Sequence, residues 1–249
     1  MSVTLEQVHA IVLAGGFGKR IQSLLPDLPK PMAPVNGKPF LEWVLRYLAA
    51  QGIRRVTLST GHLAETIERH FQSRLFPNLR VQCVRETQPL GTAGGYLHAL
   101  RATGDQPEAW LVLNGDTIAF ADLAAAAAAL GDPSVAGVIF GREVPETGRY
   151  GSLTTDATGN LTRFEEKRPG KGVISTGIYL FRHSLVNKFP TRVPISMEQE
   201  VFPALTAAGV LLKVLPMNAP FLDIGTPESL READSFIKKN IARFQLETV

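Results

Sequence analysis

Apolar and polar residues along the first part of the chain form blocks that predict strands and helices in turn. Short apolar runs, typical of buried strands, cover residues 10–13, 55–59, 79–84, 109–113 and 135–140. Patterns with a helical period cover residues 40–50, 63–71, 96–102 and 121–130. Strands that alternate with helices in this way are typical of a mostly parallel sheet with helices on both faces. The pattern therefore predicts an α/β fold.

The pattern changes near Tyr150, where the segments become shorter. Short antiparallel strands are predicted at 151–156, 161–167 and 172–181, a helix capped by Ser196 and Gln199 at 197–208, strands at 210–215 and 221–225, and a closing helix from Thr226 and Pro227. We find no linker rich in glycine, serine or charge in the sequence. We therefore expect one domain over residues 1–249, with a first half of 1–145 and a second half of 146–249.

Composition and charge exclude several kinds of partner. Hydrophobic residues make up 45% of the chain and charged residues 20%, which is ordinary for a globular protein with a full core. The net charge is +3, and no cluster of Lys and Arg is interleaved with aromatic residues, so we expect no nucleic-acid partner. Cys83 is the one cysteine, and no apolar run approaches membrane-spanning length. We expect a cytoplasmic protein with no membrane partner.

A glycine-rich loop directly after the first strand is the first candidate site. It contains Gly15, Gly16 and Gly18, with Lys19 and Arg20 beside them. Glycine lets the backbone fold closely around a ligand with its N–H groups turned inward, and the cations add positive charge. The loop therefore predicts a phosphate-binding site.

Two better-known glycine loops do not fit this sequence. A P-loop requires Ser or Thr after its lysine, and here Arg20 follows Lys19. The dinucleotide fingerprint requires a third glycine where Ile21 stands, which disfavours a nicotinamide-dependent oxidoreductase. Instead, Lys30 follows between two prolines, which hold it in an extended segment.

Two more loops fall at the carboxyl ends of predicted strands. One runs from Glu86 to Gly95, and the other contains Asn114 and Asp116. Ligands of open α/β sheets bind outside the carboxyl ends of the strands. We therefore expect these loops and the glycine loop to converge on one crevice.

Motifs over nearly the whole chain resemble those of the sugar-1-phosphate nucleotidyltransferases. In chain order they are L-A-G-G-x-G-x-R, P-K-P-M, P-L-G-T-A-G, L-N-G-D, F-E-E-K, T-G-I-Y and D-I-G-T-P. The longer segments P-M-A-P-V-N-G-K-P-F-L-E-W and E-T-Q-P-L-G-T-A-G look most like the D-glycero-D-manno-heptose 1-phosphate guanylyltransferases within that family.

The resemblance implies a Rossmann-like, mostly parallel sheet with a small antiparallel sugar-binding excursion, the nucleotide-diphospho-sugar transferase type. It implies transfer of a nucleoside monophosphate, with GTP favoured as donor, to a heptose 1-phosphate, giving GDP-heptose and pyrophosphate for capsule, S-layer or other surface polysaccharide. Mannose or another hexose 1-phosphate, with GTP, UTP or a thymidine triphosphate, is the nearest alternative. A catalytically silent relative that binds nucleotide sugar is a second one, and the oligomeric state stays open.

The resemblance also assigns roles to the residues of the first half. Backbone N–H groups of Gly15 to Gly18 would hold the β- and γ-phosphates, Arg20 would neutralise the leaving pyrophosphate, and Lys30 would bridge the reacting phosphates. With Asp116, these two cations are the catalytic candidates. The expected nucleotide-binding residues are Leu13, Ala14, Gly15, Gly16, Gly18, Lys19, Arg20, Glu86, Gly91, Thr92, Asn114 and Asp116.

Two aspartates are the expected ligands of Mg²⁺ by the same resemblance. Asp116 follows a buried apolar strand, and Asp223 lies in F-L-D-I-G. Magnesium is commonly held by one or two carboxylates together with phosphates and waters, which matches this pair. A simple turn aspartate is the structural alternative for Asp116.

The sugar-phosphate-binding candidates lie in the second half and are Tyr150, Gly151, Glu165, Glu166, Lys167 and Ser175. Lys167 would anchor the sugar phosphate. Strand alternation puts Glu165 on the same face as Lys167, whereas the Glu-Lys pair of the family points to Glu166, and both stay candidates. Ser175 stands where many relatives carry asparagine, which leaves open which hydroxyls are contacted.

Glu86 is the candidate that would contact the base. A carboxylate only accepts hydrogen bonds, and guanine offers two adjacent donors, N1–H and N2–H₂. Uracil and thymine offer one donor, so a glutamate favours guanine without excluding them. The sequence therefore favours GTP over UTP.

Overall fold

The computed structural model describes residues 3–72, 76, 78–166 and 168–244. Its strands are β1 (Val8–Ala14), β2 (Pro34–Val35), β3 (Lys38–Pro39), β4 (Arg55–Thr60), β5 (Arg80–Arg85), β6 (Ala109–Asn114), β7 (Thr117–Ala119), β8 (Gly137–Val144), β9 (Gly151–Thr155), β10 (Leu161–Glu166), β11 (Gly172–Arg182), β12 (Leu212–Pro216) and β13 (Phe221–Asp223). Its α-helices are α1 (Phe40–Ala50), α2 (Ala64–Gln72), α3 (Gly91–Thr103), α4 (Leu123–Ala129), α5 (Phe202–Ala207) and α6 (Pro227–Lys239). Short 3₁₀ turns cover Leu5–Gln7, Lys30–Met32, His183–Lys188 and Ile241–Phe244.

One mixed sheet organises the described part of the chain. Its main path runs β10-β9-β11-β6-β1-β4-β5, and β8 pairs with both β11 and β12. β6, β1, β4 and β5 are parallel, whereas β11 is antiparallel to β6, β8 and β9. The expected α/β fold with a small antiparallel part is confirmed. The long strand β11 joins that antiparallel part to the parallel strands.

The central strands β1, β4 and β6 are buried on both faces, which explains the apolar runs there. Along β1, Ala10 and Val12 point into the core beneath α1, α2, α4 and α6, and Ile11 points into the core beneath α3 and α5. Successive side chains of a strand face opposite sides of a sheet, so a strand covered on both sides must be apolar throughout. Each fully buried aliphatic side chain contributes about 1.5–3 kcal/mol by leaving water.

Two predicted helices differ from those in the structure. The helix predicted at 96–102 begins at Gly91, because the N–H groups of Ala93 and Gly94 bond to the carbonyl oxygen of Ile195 and fix a first turn that glycine disfavours by propensity. The helix predicted at 197–208 is divided into a π-helical turn, Met197–Val201, and α5. Pro203 lacks an N–H and cannot continue the α-helical pattern of the preceding turn.

Two helix caps follow the sequence pattern. The Ser196 hydroxyl accepts from the N–H of Glu198 and Gln199, and Thr226 accepts from the N–H of Ser229 at the start of α6. No helix among the residues that the structure describes is long and apolar enough to cross a lipid bilayer.

Candidate functional site

Two neighbouring cavities open at the carboxyl ends of the parallel strands. The first cavity, of about 470 Å³, is lined by the glycine loop, Lys30, Glu86 and the start of α3. The second cavity, of about 200 Å³, lies against β9, β10 and β11. Both cavities are lined by Arg20, Lys30, Thr92, Asn114 and Asp116. A ligand in one cavity can therefore meet a ligand in the other at this shared wall.

The first cavity brings the nucleotide-binding candidates together. All twelve line it, namely Leu13, Ala14, Gly15, Gly16, Gly18, Lys19, Arg20, Glu86, Gly91, Thr92, Asn114 and Asp116. They meet because β1, β5 and β6 all end at this edge of the sheet, and the loops that follow those strands face one another.

Close packing around the glycine loop leaves no room for side chains at particular positions. Gly18 has a φ of +60°, and a Cβ there would lie 3.0 Å from the Cβ of Lys30. A Cβ on Gly61 would lie 2.8 Å from the carbonyl oxygen of Gly15. The same carbonyl oxygen accepts a hydrogen bond from the N–H of His62 at 3.2 Å. The loop is thereby held against the Lys30 segment and the loop after β4.

Lys30 lies between the two aspartates. Its Nζ is 2.5 Å from Oδ2 of Asp116 and 3.7 Å from Oδ1 of Asp223, and its side chain is 11% exposed. β7 and β13 pair antiparallel with Thr117 opposite Asp223, which brings Asp116 and Asp223 to the same place. One cation is therefore shared by two carboxylates.

The environment of Asp223 disfavours its ionised form. Burial, and next the charge of Asp116, raise the pKa of Asp223, although Lys30, the N–H of Gly225 at 2.7 Å and Arg149 act in the opposite direction. Two carboxylates that converge on one cationic position form a donor set of the kind that holds a hard divalent ion. Among the described residues no group of three or more His, Cys, Asp or Glu could hold a metal, so further ligands would come from a substrate and water. The pair fits Mg²⁺.

The carboxylate of Glu86 is fixed at one oxygen. Oε1 accepts from the Ser59 hydroxyl at 2.8 Å, and the backbone N–H of Glu86 bonds to the carbonyl oxygen of Thr60 at 2.7 Å. A Cβ on Gly95 would lie 2.6 Å from that oxygen, so glycine there makes room for the carboxylate. Ser59 on β4 and the close approach of Gly95 on α3 position the Glu86 side chain where it lines the first cavity.

The second cavity contains four of the sugar-phosphate-binding candidates: Tyr150, Gly151, Glu166 and Ser175. Phe164 and Glu166 share a face of β10 and line the cavity, whereas Glu165 lies outside it and pairs with Arg168 at 2.9 Å and Arg163 at 3.7 Å. Glu165 does not line the second cavity, because successive residues of β10 face opposite sides and Glu166 faces the cavity. Lys167 lies outside the described residues.

The comparison with protein families decides the class of the protein. A family model described as nucleotidyl transferase matches residues 9–240. The chain belongs to the nucleotidyl transferase family. It is 35% identical over 225 residues to a D-glycero-alpha-D-manno-heptose 1-phosphate guanylyltransferase of Campylobacter jejuni, covering 89% of this chain and 96% of that one. It is 33% identical to a mannose-1-phosphate guanylyltransferase of Mycobacterium tuberculosis over 95% of this chain and 66% of that one.

A solved structure of similar fold carries a nucleotide analogue. The crystal structure of HddC from Yersinia pseudotuberculosis complexed with GMP-PN has a TM-score of 0.77 and 32% sequence identity. The match covers 91% of this chain and 98% of HddC. The fold of the transferase described here is therefore that of HddC.

Several lining residues were missed by sequence reasoning. Arg149 directly precedes Tyr150, and its guanidinium lies 3.3 Å from Oδ2 of Asp223. Glu198 lines the second cavity and lies between Ser196 and Gln199, the two residues of the predicted helix-start pattern. Gly177 has a φ of +73°, and a Cβ there would lie 2.5 Å from Nδ2 of Asn114. The motif T-G-I-Y contained the signal for Gly177, but the sequence did not show its partner.

Proposed function

We propose that this nucleotidyltransferase transfers GMP from GTP to D-glycero-α-D-manno-heptose 1-phosphate and releases pyrophosphate. The observation that carries the proposal is the shared wall, where Arg20, Lys30 and Asp116 line both cavities. GTP would occupy the first cavity and the sugar phosphate the second. The similarity to two heptose 1-phosphate guanylyltransferases, at 35% and 31% identity, supports the choice of substrates. The product would donate heptose to a surface polysaccharide.

The reaction needs positioned charge more than proton transfer. A phosphate oxygen of the sugar attacks the α-phosphorus, the bond to the β-phosphate oxygen breaks, and pyrophosphate leaves. The attacking oxygen is already ionised, so no general base is required. Two unit charges 4 Å apart repel by about 4 kcal/mol at an effective dielectric of 20, and this repulsion must be offset where the phosphates meet.

Cations of the chain would offset that repulsion. Lys30 would bridge the α-phosphate and the sugar phosphate, since its ammonium lies on the wall between the cavities. Arg20 would neutralise the charge that develops on pyrophosphate, and the N–H groups from Gly15 to Gly18 would hold its oxygens. Lys167 would anchor the sugar phosphate from the second half.

Asp116 and Asp223 would hold Mg²⁺ in the working enzyme. The ion supplies positive charge and orients phosphate oxygens when bound. Lys30 already pairs with both carboxylates, which supports their placement around a cation. Bound phosphates would draw the Lys30 ammonium away from Asp223 and towards the reacting oxygens.

Glu86 would accept hydrogen bonds from guanine. Ser59 uses one lone pair of Oε1, which leaves the other oxygen for the adjacent donors N1–H and N2–H₂. Hydrogen bonds to charged groups contribute about 1.5–3 kcal/mol each, so losing one should reduce discrimination between GTP and UTP about tenfold or more.

Mannose 1-phosphate is the second candidate acceptor. The Mycobacterium tuberculosis relative is a mannose-1-phosphate guanylyltransferase at 33% identity. Gly151, Tyr150, Glu166 and Ser175 would contact either sugar, and the two sugars differ by one hydroxymethyl carbon.

Release of pyrophosphate over a panel of substrates tests the proposal. GTP, ATP, UTP and dTTP are each combined with heptose, mannose and glucose 1-phosphate in the presence of Mg²⁺. We expect the highest kcat/KM with GTP and the heptose 1-phosphate, and a lower GTP/UTP ratio in Glu86→Gln. Equal use of GTP and UTP by the native enzyme would contradict the role of Glu86, and no turnover with any pair would contradict the transferase assignment.

A further inference from the structure

A third cavity opens at the amino ends of the parallel strands, at the opposite edge of the sheet from the glycine loop. It has a volume of about 100 Å³ and is lined by residues of β1, β4 and β5 and by the end of α3 with the turn that follows it. These residues are His9, Arg55, Val56, Arg80, Gln82, Thr103 and Asp105. A strand of six residues such as β4 is about 20 Å long, so the length of the sheet separates this cavity from the first one.

Two arginines lie side by side in the third cavity. Arg55 and Arg80 are the first residues of β4 and β5, and these parallel strands pair with Arg55 in register with Arg80. Side chains at paired positions project from the same face of a sheet, and neighbouring strands lie about 4.8 Å apart. Like charges on paired residues destabilise a sheet. The pairing therefore concentrates positive charge at a place where an anion would relieve the repulsion.

One carboxylate offsets only part of this charge. Oδ2 of Asp105 lies 3.2 Å from Nη1 of Arg55 and accepts from Nδ1 of His9 at 2.8 Å. Burial is the main cause that lowers the pKa of His9, so its ring adds no charge at pH 7. Arg80 forms no side-chain hydrogen bond or ion pair with any residue that the structure describes. In the described lining, two cations therefore face one carboxylate.

A row of hydrogen bonds fixes the wall of the cavity. Nε2 of Gln82 donates to Oγ1 of Thr57 at 2.9 Å, and the Thr57 hydroxyl donates to Nε2 of His9 at 2.8 Å. The His9 ring thus has both nitrogens engaged, and it holds Asp105 in turn. Asp105 positions Arg55, so binding of a ligand would cost little ordering of that side chain.

The size and the charge of the cavity define the class of ligand. Its volume of about 100 Å³ compares with about 470 Å³ for the first cavity, so it has no room for a whole nucleotide. The planar fork of an arginine matches the oxygens of a phosphate group and binds them through two parallel hydrogen bonds. The excess of one positive charge favours a small oxyanion over a polyphosphate.

We propose that Arg55 and Arg80 form a binding site for a phosphate group, separate from the two cavities described above. The guanidinium groups bind its oxygens from two neighbouring strands, and the Asp105 carboxylate keeps Arg55 in place. The site does not depend on the substrates proposed for the other cavities, because it lies at the other edge of the sheet.

Nuclear magnetic resonance of the arginine side chains tests this site. The full chain with ¹⁵N-labelled arginine is titrated with inorganic phosphate, while chloride keeps the ionic strength constant. We expect the Nε–H signals of Arg55 and Arg80 to shift along one common saturation curve. Arg80→Gln should weaken the phosphate affinity measured at Arg55 about tenfold or more, which is the value of one lost hydrogen bond between charged groups.

Arg54→Gln is the matched control. Arg54 precedes Arg55 in the chain, pairs with Glu6 at 3.5 Å and does not line the cavity, so its substitution should leave the phosphate affinity unchanged. Arg20 reports binding in the first cavity, and a shift of its signal alone would overturn the proposal. Equal shifts with chloride alone would indicate screening by salt and would also overturn it.

A second titration, with glycerol phosphate, identifies the source of the phosphate group. Shifts of Arg55 and Arg80 with both compounds would support a site for the phosphate of a larger molecule whose remainder lies in solvent. Shifts with inorganic phosphate alone would support a site for the free ion. Absence of saturable shifts at Arg55 and Arg80 with either compound would refute the site, whatever the transferase activity of the protein.

Discussion

Replacing Asp223 by asparagine should stabilise the fold while it damages the site. The Asp223 side chain is 13% exposed and shares Lys30 with Asp116. Burial and the charge of Asp116 raise its pKa, which means that the folded state disfavours the ionised form. Asparagine keeps an acceptor for the N–H of Gly225 and removes the charge. Lys30 keeps Asp116 as its nearer partner, so the substitution leaves no buried cation unpaired.

The expected gain follows from the difference in pKa between the folded and unfolded states. Asp223→Asn should raise the free energy of unfolding at pH 7, by about 1.4 kcal/mol for each unit by which folding raises the pKa of Asp223. For a chain of this size, each kcal/mol corresponds to about 2–4 °C in Tm. The unfolded chain releases the Asp223 proton near 3.8 and the folded chain releases it at higher pH. The stability of the wild type therefore falls as the pH rises from about 3.8 through the higher pKa of folded Asp223. The variant has no carboxyl at this position and does not lose this stability.

Thermal melts between pH 4 and pH 8 in the presence of a chelator measure the effect. The difference in Tm between variant and wild type should be small near pH 4 and grow towards pH 7, and Mg²⁺-dependent turnover should fall sharply. Asp156→Asn is a control of opposite sign, because hydrogen bonds, the largest from the N–H of Asn160, lower the pKa of Asp156 to about 2. That variant should be less stable at neutral pH. An unchanged or lower Tm for Asp223→Asn at pH 7 would refute the like-charge argument.

Three further predictions concern the cations and the backbone. Lys30→Ala should lower kcat by about 10² or more, because the charge proposed to stabilise the transition state would be lost. Circular dichroism should show an unchanged fold, and a mild effect on kcat would contradict the proposed bridging role. Gly177→Ala should lower the free energy of unfolding in urea by about 1–3 kcal/mol, because its φ is +73° and Asn114 fills the space of a Cβ. The loss should exceed that of Gly104→Ala, where φ is +66° and the space around the residue is open. Equal losses of stability in the two variants would contradict the clash with Asn114. Removing Mg²⁺ should weaken GTP binding by titration calorimetry, and an unchanged affinity would argue against a metal at the aspartate pair.

The sequence predicted the first cavity because its residues follow strand ends directly. Gly15 comes after β1, Glu86 after β5 and Asp116 just after β6, so the order of parallel strands alone brings them to one edge. The apolar runs predicted those strands to within a few residues, since both faces of the sheet are covered. No long-range side-chain contact had to be known for this part.

The second cavity needed information that local patterns do not contain. Alternation shows that Glu165 and Glu166 face opposite ways, but which of them faces a ligand depends on how β10 pairs with β9, where the register shifts between Leu161 and Arg163. Glu198 satisfies a helix-start pattern equally well whether or not it faces a cavity. Its contact with Thr92, 106 positions away in the chain, exists only in the folded protein.

The charges around the two cavities support the proposal of a further cation in the site. In the described part of the lining, four cations face five carboxylates: Lys19, Arg20, Lys30 and Arg149 against Glu86, Asp116, Glu166, Glu198 and Asp223. Such a lining does not offset the charge of a nucleoside triphosphate that meets a sugar phosphate, because each close pair of negative charges costs about 4 kcal/mol at an effective dielectric of 20. Under the proposed function, Glu86 would contact the base and Glu166 the sugar, so their negative charge would serve recognition. Asp116 and Asp223 converge where the phosphates would meet, and a divalent ion there would turn a repulsive pair of carboxylates into the means of holding both substrates.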